Sequence, residues 1–253
     1  MTAKTSTLTL GWRVYGLGMM ALAVVCLVWG GFDPGQPAPK TLPDRAILAY
    51  AVAAFMLVAG AATEWRRTAA WAAAALTVYY TLFVVILMYG RVALADPTEY
   101  GVYSGACEQL ALAAGALIIY AANAKIDSAL AARLTRLGQL AFGVCALLFG
   151  GAHFVYMNLT APLVPKWLPP SQLFWGYATG VAHIAAGIAI LTGVRARLAA
   201  ILLTLMYALF TPLVHIPLVM AKPSHGAWAE ITLNLALTGA AWVVADSFAR
   251  RKR

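Results

Sequence analysis

Five ionisable side chains, Glu108, His153, His183, His215 and Glu230, interrupt runs otherwise made of small and aliphatic residues. Their types suit proton chemistry. An imidazole titrates near neutrality, and a carboxylate removed from water moves toward the same range. His183 stands in the middle of YATGVAHIAAGIAILTGVRAR, residues 177–197, a stretch built for hydrocarbon. On insertion scales a centred Asp costs roughly 2.5 kcal/mol or more, and such groups rarely face lipid.

Spacing gathers these residues together. Glu230, Asn234 and Thr238 step by four, as do Thr204, Tyr207, Thr211 and His215 with one shorter step. Gln139, Gly143, Ala146, Gly150 and His153 form a small-and-polar stripe, and Gly176, Gly180, His183 and Gly187 form another. Small residues at helical spacing let membrane helices approach, and polar ones hydrogen-bond across the contact. His153, His215 and Glu230 fall at one depth, roughly 6–8 Å inside the outer boundary at about 1.5 Å per residue, with His183 one to two turns deeper.

The expected result is a polar pocket opening outward. His183, His215 and Glu230 are the candidates for catalytic proton transfer. His153, Asn234, Tyr207, Thr211 and Glu108 are the candidates for holding a substrate. If a metal is bound, His153, His215 and Glu230 are its candidate ligands, since imidazoles with a carboxylate suit zinc or copper. No H-x-x-x-H or paired-cysteine spacing accompanies them. Haem would need His183 with a second histidine. A cluster that merely ties helices together would use the same residues.

The elements that position these side chains are set by composition. Of 253 residues, 62% are hydrophobic and 11% charged, and the mean hydropathy is +0.79, which places the chain among polytopic membrane proteins. Eight stretches are long enough to span: Gly11–Phe32, Ala46–Thr63, Thr68–Gly90, Tyr100–Ala124, Leu137–Asn158, Ser171–Val194, Leu198–Ala221 and Gly226–Ala245. Unpaired backbone groups are not tolerated in lipid, so each is expected to be a helix. DPGQPAPKTLPD and APLVPKWLPP fall between them, and Pro212 and Pro217 around His215 predict a kink. The first stretch has no A-x-A cleavage site after it, so it is expected to stay as a helix.

The net charge of +9 does not imply nucleic acid, because the cations lie between apolar runs with no basic-aromatic surface. They set topology instead. With the N-terminus inside, thirteen of the eighteen cations collect on the cytoplasmic side: Lys4, Arg13, Arg66, Arg67, Lys125, Arg133, Arg136, Arg195, Arg197 and the terminal Arg250, Arg251, Lys252 and Arg253. Only Lys40, Arg45, Arg91, Lys166 and Lys222 fall outside. Both termini are therefore expected in the cytoplasm of a bacterial inner membrane.

The chain also repeats itself. VVCLVWGGF resembles VCALLFGGA, PKTLPD resembles PKWLPP, and GACEQLALAAG resembles GAWAEITLNLA, in unchanged helix order. The fold class expected is an all-α membrane protein, with eight helices arranged as two parallel-repeat four-helix bundles over residues 1–126 and 127–253. In the first repeat Glu108 matches Glu230, Asp33 lies near the place of His153, and Met56 and Ile86 replace the other two histidines. That half is expected to be scaffold or a diverged site. The three cysteines form no C-x-x-C. Cys26 and Cys145 are expected to be buried, and Cys107 adjoins Glu108.

GVAHIAAGIAILTGVRARLAA resembles the second-to-third helix signature of the DoxX family of small bacterial membrane proteins, with Gly180, Gly187, Leu191, Gly193, Arg195, Ala199 and Ala200 in place. WAEITLNLALTGAAWVVADS is similar to that family's last helix, with Glu230 at its acidic position, and VPKWLPP to its first loop. The resemblance covers about residues 137–247. His183 replaces the family's second-helix acid, and typical members are single four-helix units. The resemblance implies a subunit or enzyme of a quinone-linked redox system, oxidoreductase-associated, with quinone as the leading ligand. The alternatives are a carrier or binder of a small lipophilic ligand and a non-catalytic assembly subunit. Beyond membrane lipids, the partners left open are a redox protein and further copies of the chain.

Overall fold

A computed structural model describes residues 9–250. Lys4, Arg251, Lys252 and Arg253, used above for topology, lie outside the described residues. Among the described residues the chain is helical and has no strand. Eight helices are long and apolar enough to cross a membrane: α1 Leu10–Trp29, α2 Arg45–Thr63, α3 Ala69–Ala95, α4 Tyr100–Asn123, α5 Ser128–Val155, α6 Gln172–Thr192, α7 Ala196–Ala221 and α8 His225–Ala249. Large apolar side chains such as Val28, Ile47, Val58, Leu94, Val181 and Leu205 stay exposed on the outside, as a protein solvated by acyl chains requires.

Several boundaries differ from the sequence expectation for local reasons. α1 stops before Phe32 because Gly30 turns the chain at φ +64°, a conformation that glycine adopts without strain. α5 begins nine residues before Leu137. Asp127 accepts hydrogen bonds from the Ala129 and Leu130 N–H groups at 2.8 and 3.1 Å, capping a start whose Arg133, Thr135 and Arg136 hide it from a search for apolar runs. At the far end of α6, the Arg136 guanidinium donates to the carbonyls of Ile190 and Leu191 at 3.2 and 2.6 Å. These are helix-end acceptors with no partner of their own.

α4 and α8 form the centre of the molecule. Of their apolar windows 61% and 72% are buried, against 28–44% for the other six. α1 lies against α2 and α8, α2 against α3, α3 against α4, and α4 against α5 and α8, while α5, α6, α7 and α8 pack in succession. Glycine makes the α1–α8 contact close. A Cβ on Gly239 would lie 2.2 Å from the Tyr15 nitrogen, and one on Gly18 would lie 2.4 Å from the Ala236 nitrogen. Backbones meet at that distance only where no side chain intervenes.

α3 and α7 leave α-helical geometry partway along. Residues Tyr79–Tyr89 of α3 and Thr211–His215 of α7 are π-helical. The interruption expected around Pro212 and Pro217 thus takes the form of a widened turn, a feature that often marks functional positions.

Candidate functional site

One cavity of about 310 Å³ gathers nearly every residue singled out by spacing. α4 contributes Glu108, α5 His153, α6 His183, α7 Tyr207 and His215, and α8 Glu230 and Asn234. Residues Tyr156, Thr160, Leu163 and Val164 of the α5–α6 connection also line it. The cavity therefore sits at the membrane face that carries the α3–α4, α5–α6 and α7–α8 connections. The last four helices do not enclose it alone, because Ser104 and Glu108 of α4 form part of the wall.

His183 is 2% exposed. Its Nδ1 lies 2.8 Å from the Thr179 carbonyl, which can only accept, so Nδ1 carries a proton and Nε2 of the neutral ring keeps its lone pair. His153 is fixed the same way. Its Nδ1 lies 3.1 Å from the Gly176 carbonyl and 3.1 Å from the Thr179 hydroxyl, and that hydroxyl donates to the Trp175 carbonyl at 2.8 Å. One threonine thus supports both imidazoles, through its carbonyl and its hydroxyl. The two ring centroids are 5.3 Å apart, and Tyr207 lies 5.5 Å from His183 on another side. Phe149 meets His183 edge-on at 6.0 Å.

Close packing holds this geometry. A Cβ on Gly150 would lie 2.7 Å from the Gly180 carbonyl, and one on Gly180 would lie 2.9 Å from the His153 Cβ. The two glycines let α5 and α6 approach until their imidazoles touch.

Asn234 ties α8 to the widened turn of α7. Its amide donates to the Tyr207 carbonyl at 2.9 Å and to the Thr211 hydroxyl at 3.0 Å. Tyr207 belongs to the last α-helical turn before that widened segment, so the bond fixes α8 against the start of the irregular geometry. Thr211 therefore acts through Asn234 rather than by lining the cavity. The His215 Nδ1 is buried with no hydrogen-bond partner. The Tyr207 hydroxyl is buried without one as well.

The carboxylates complete the site. Glu108 is half-buried and Glu230 is exposed on the cavity wall. Glu108 lies within electrostatic reach of Glu230, Asp33 and Cys107, and no Lys or Arg lines the cavity. At the mouth, the Tyr156 hydroxyl donates to Glu99 and accepts from the Gly101 N–H at 2.8 Å. The Tyr156 hydroxyl, then the Gly101 N–H, hold the Glu99 carboxyl below its ordinary range. The same bond to Glu99 raises the Tyr156 phenol.

Among the described residues no group of three or more His, Cys, Asp or Glu side chains could hold a metal ion. The three side chains named from the sequence for a metal, His153, His215 and Glu230, all line the cavity. Sequence spacing also missed Thr179, Ser104, Tyr156 and Phe210, all of which line the cavity. Thr179 had a legible signal, since it lies one helical turn before His183.

In comparisons with known proteins, residues 142–245 match a domain of unknown function, DUF8561. This is less than half of the chain and covers the segment that carries His153, His183, His215 and Glu230. No curated protein and no solved structure matches the chain.

Proposed function

We propose that this protein is a DoxX-like membrane component of a quinone-linked redox system, with the cavity receiving the head group of a quinone or a similar small lipophilic substrate. The observation that carries it is a cavity furnished with polar groups short of partners. The His215 Nδ1 and the Tyr207 hydroxyl are buried with no hydrogen-bond partner, while His153 and His183 bond to backbone carbonyls through Nδ1. A buried polar group left unpaired costs about 1–3 kcal/mol, so a cavity that keeps two is furnished for a guest. About 310 Å³ lies at the lower end of the range of small-molecule pockets, roughly 300–1,000 Å³.

A quinol hydroxyl donates to a neutral imidazole, and a quinone carbonyl accepts from a protonated one. His183 and His215 take these roles, with Glu230 exchanging protons with the exposed side. His153, Tyr207, Asn234 and Glu108 orient the ring, and Thr211 fixes Asn234. The parallel repeat is part of the same proposal. It is supported by packing, since α1 lies on α8 as α5 lies on α4. So are a bacterial inner-membrane location with both termini cytoplasmic, a redox partner protein and homo-oligomerisation.

A carrier is the second reading, and one observation favours it. The third helix of each half is interrupted by a π-helical segment, Tyr79–Tyr89 in α3 and Thr211–His215 in α7, as a pair of matched hinges would be. Extraction of the purified protein followed by mass spectrometry of its lipophilic content, with quinol formation followed spectroscopically, separates the two. A bound quinone that turns over supports the redox component. Ligand exchange across a proteoliposome membrane with no change of oxidation state supports the carrier and overturns the first reading.

A further inference from the structure

A second concavity lies at the face opposite the cavity, where the α6–α7 connection turns. It is an open groove of about 990 Å³, with Arg136 of α5, Arg195 of the connection and Arg197 of α7 in its wall. No Asp or Glu lines it. Beside the cations its wall is apolar: Val194, Leu198 and Ile201 are 67%, 48% and 37% exposed. Arg66, Arg67 and Lys125, in the α2–α3 and α4–α5 connections, belong to the same face but not to the groove.

Arg136 is the fixed member of the three. It spends three of its guanidinium's five N–H donors on the Gln139 side chain and the carbonyls of Ile190 and Leu191, which pins it in the wall with two donors left. Arg195 and Arg197 are exposed, and among the described residues neither guanidinium has a hydrogen-bond or ion-pair partner. Both stand at the start of α7, whose first turn holds no acidic residue, and the N-terminal end of a helix disfavours cations. Arg195 also takes left-handed backbone at φ +49°, a conformation that glycine holds freely and a long side chain does not. Cations kept against their helix and their backbone, in a groove with no carboxylate, are placed for an anion from outside the chain.

We propose that this groove is a binding site for an anionic phospholipid, with the phosphate among Arg136, Arg195 and Arg197 and an acyl chain along Val194, Leu198 and Ile201. Guanidinium forks match the paired oxygens of a phosphodiester, and basic pockets between helices at a membrane face receive anionic head groups. The apolar side selects a lipid over a soluble phosphate. Leu198 and Ile201 descend α7 by about one turn from the charged end, at about 1.5 Å per residue, so the aliphatic wall leads from the phosphate position toward the membrane interior. An occupied groove ties α5 to the α6–α7 connection at the face away from the cavity. The site stands independently of the quinone reading above.

The test uses the full-length protein, delipidated in detergent, with dioleoyl phosphatidylglycerol as probe and dioleoyl phosphatidylcholine as the neutral comparison. Native mass spectrometry counts bound lipid, and the melting temperature is followed over the same titration. The expected result is one retained phosphatidylglycerol per chain, bound about 25-fold more tightly than phosphatidylcholine, at roughly fivefold per unpartnered arginine. Arg195→Gln combined with Arg197→Gln removes the preference, and Arg66→Gln combined with Arg67→Gln leaves it unchanged. Arg195→Gly weakens phosphatidylglycerol about fivefold without lowering the lipid-free melting temperature, since glycine suits that backbone. This variant keeps the test decisive where the double variant does not fold. Equal retention of the two lipids overturns the site. An equal loss in the Arg66 and Arg67 variant overturns it too, by reducing the preference to the charge of the whole face. If inorganic phosphate at the same concentration displaces phosphatidylglycerol, the groove takes a soluble anion and the lipid assignment fails.

Discussion

Each half of the molecule carries a polar cluster, and the one in the second half lines a cavity. In the first half Asp33, Gln36, Gln109 and Tyr79 fill the space with one another. Tyr79 donates to Gln36 at 2.7 Å, Gln36 reaches Gln109 at 3.5 Å, and Asp33 accepts from the Gly35 N–H at 2.9 Å. The Gln109 amide approaches the Asp33 carboxylate at a geometry short of a full hydrogen bond. All four side chains are buried, with Gln109 at 0% exposure. Tyr89 closes the cluster by donating to the Gly35 carbonyl at 2.6 Å.

The second half's cluster lines the cavity, where the Tyr207 hydroxyl and the His215 Nδ1 end unpaired, as the Asp33 Oδ2 and the Gln109 Nε2 do in the first cluster. The first cluster's hydrogen bonds serve folding. The second spends its bonds on the rear of each side chain, as Thr179 does for His183 and His153, and leaves the reactive side free. Glu108 connects them, since it belongs to α4 of the first half but faces the cavity of the second.

Removing one polar side chain from each cluster should give opposite signatures, and this is the largest effect expected. His183→Ala should lower substrate turnover by at least about tenfold, the equivalent of one lost hydrogen bond at a reacting group. Gln109→Ala should leave turnover unchanged while costing about 1–3 kcal/mol of stability through stranded neighbours. Steady-state rates and thermal unfolding in detergent check both. Equal losses of activity would erase the distinction between the halves.

Asp33 offers a test through pH. Burial lifts its carboxyl to about 6, against the partly compensating Gly35 N–H and Gln109, while in the unfolded chain it titrates near 3.9. The folded form therefore binds the proton more tightly. Its stabilising contribution, up to about 3 kcal/mol, is fully present below pH about 4 and is lost as pH rises through about 6. The wild-type melting temperature should fall over that window. Asp33→Asn keeps an acceptor for Gly35 and should flatten the curve, and an unchanged slope in the variant would contradict the assignment.

Asn234→Ala sharpens the comparison at the π-helical turn. It removes the interhelical hydrogen bonds to the Tyr207 carbonyl and the Thr211 hydroxyl and should cost about 1–2 kcal/mol, read as a lower melting temperature together with weaker ligand binding. A stability loss with binding intact would reduce Asn234 to a structural tie.

The smallest effect is at the mouth. Glu99 is held below its ordinary range, so its bond to Tyr156 contributes above pH about 4.3 and is lost as pH falls through the depressed value. Tyr156→Phe should speed hydrogen exchange at Gly101 at neutral pH with little change in melting temperature. No change in exchange would mean that the contact does not order the mouth.

Much of this was legible in the sequence. The number and order of the spans follow from apolar runs, and the convergence of His153, His183, His215, Glu230 and Asn234 follows from helical spacing and depth. What spacing could not supply was the lateral neighbour of each helix. Spacing names Glu108 as a substrate-holding candidate while its half reads as scaffold, because its wall is made by α4 packing on α5 and α8, a pairing that no run of residues declares. Thr179 was missed because its work is done mostly by a backbone carbonyl. The filled first cluster depends on a loop, Asp33 to Gln36, whose fold a hydropathy pattern does not record.

The most direct test of an open, guest-binding cavity beside a closed polar cluster is equilibrium titration of a short-chain quinone onto nanodisc-embedded protein, comparing wild type, His183→Ala and Gln109→Ala. The account predicts saturable binding that weakens at least about tenfold in His183→Ala and stays within about twofold of wild type in Gln109→Ala. Binding indifferent to His183, or lost only with Gln109, would contradict it.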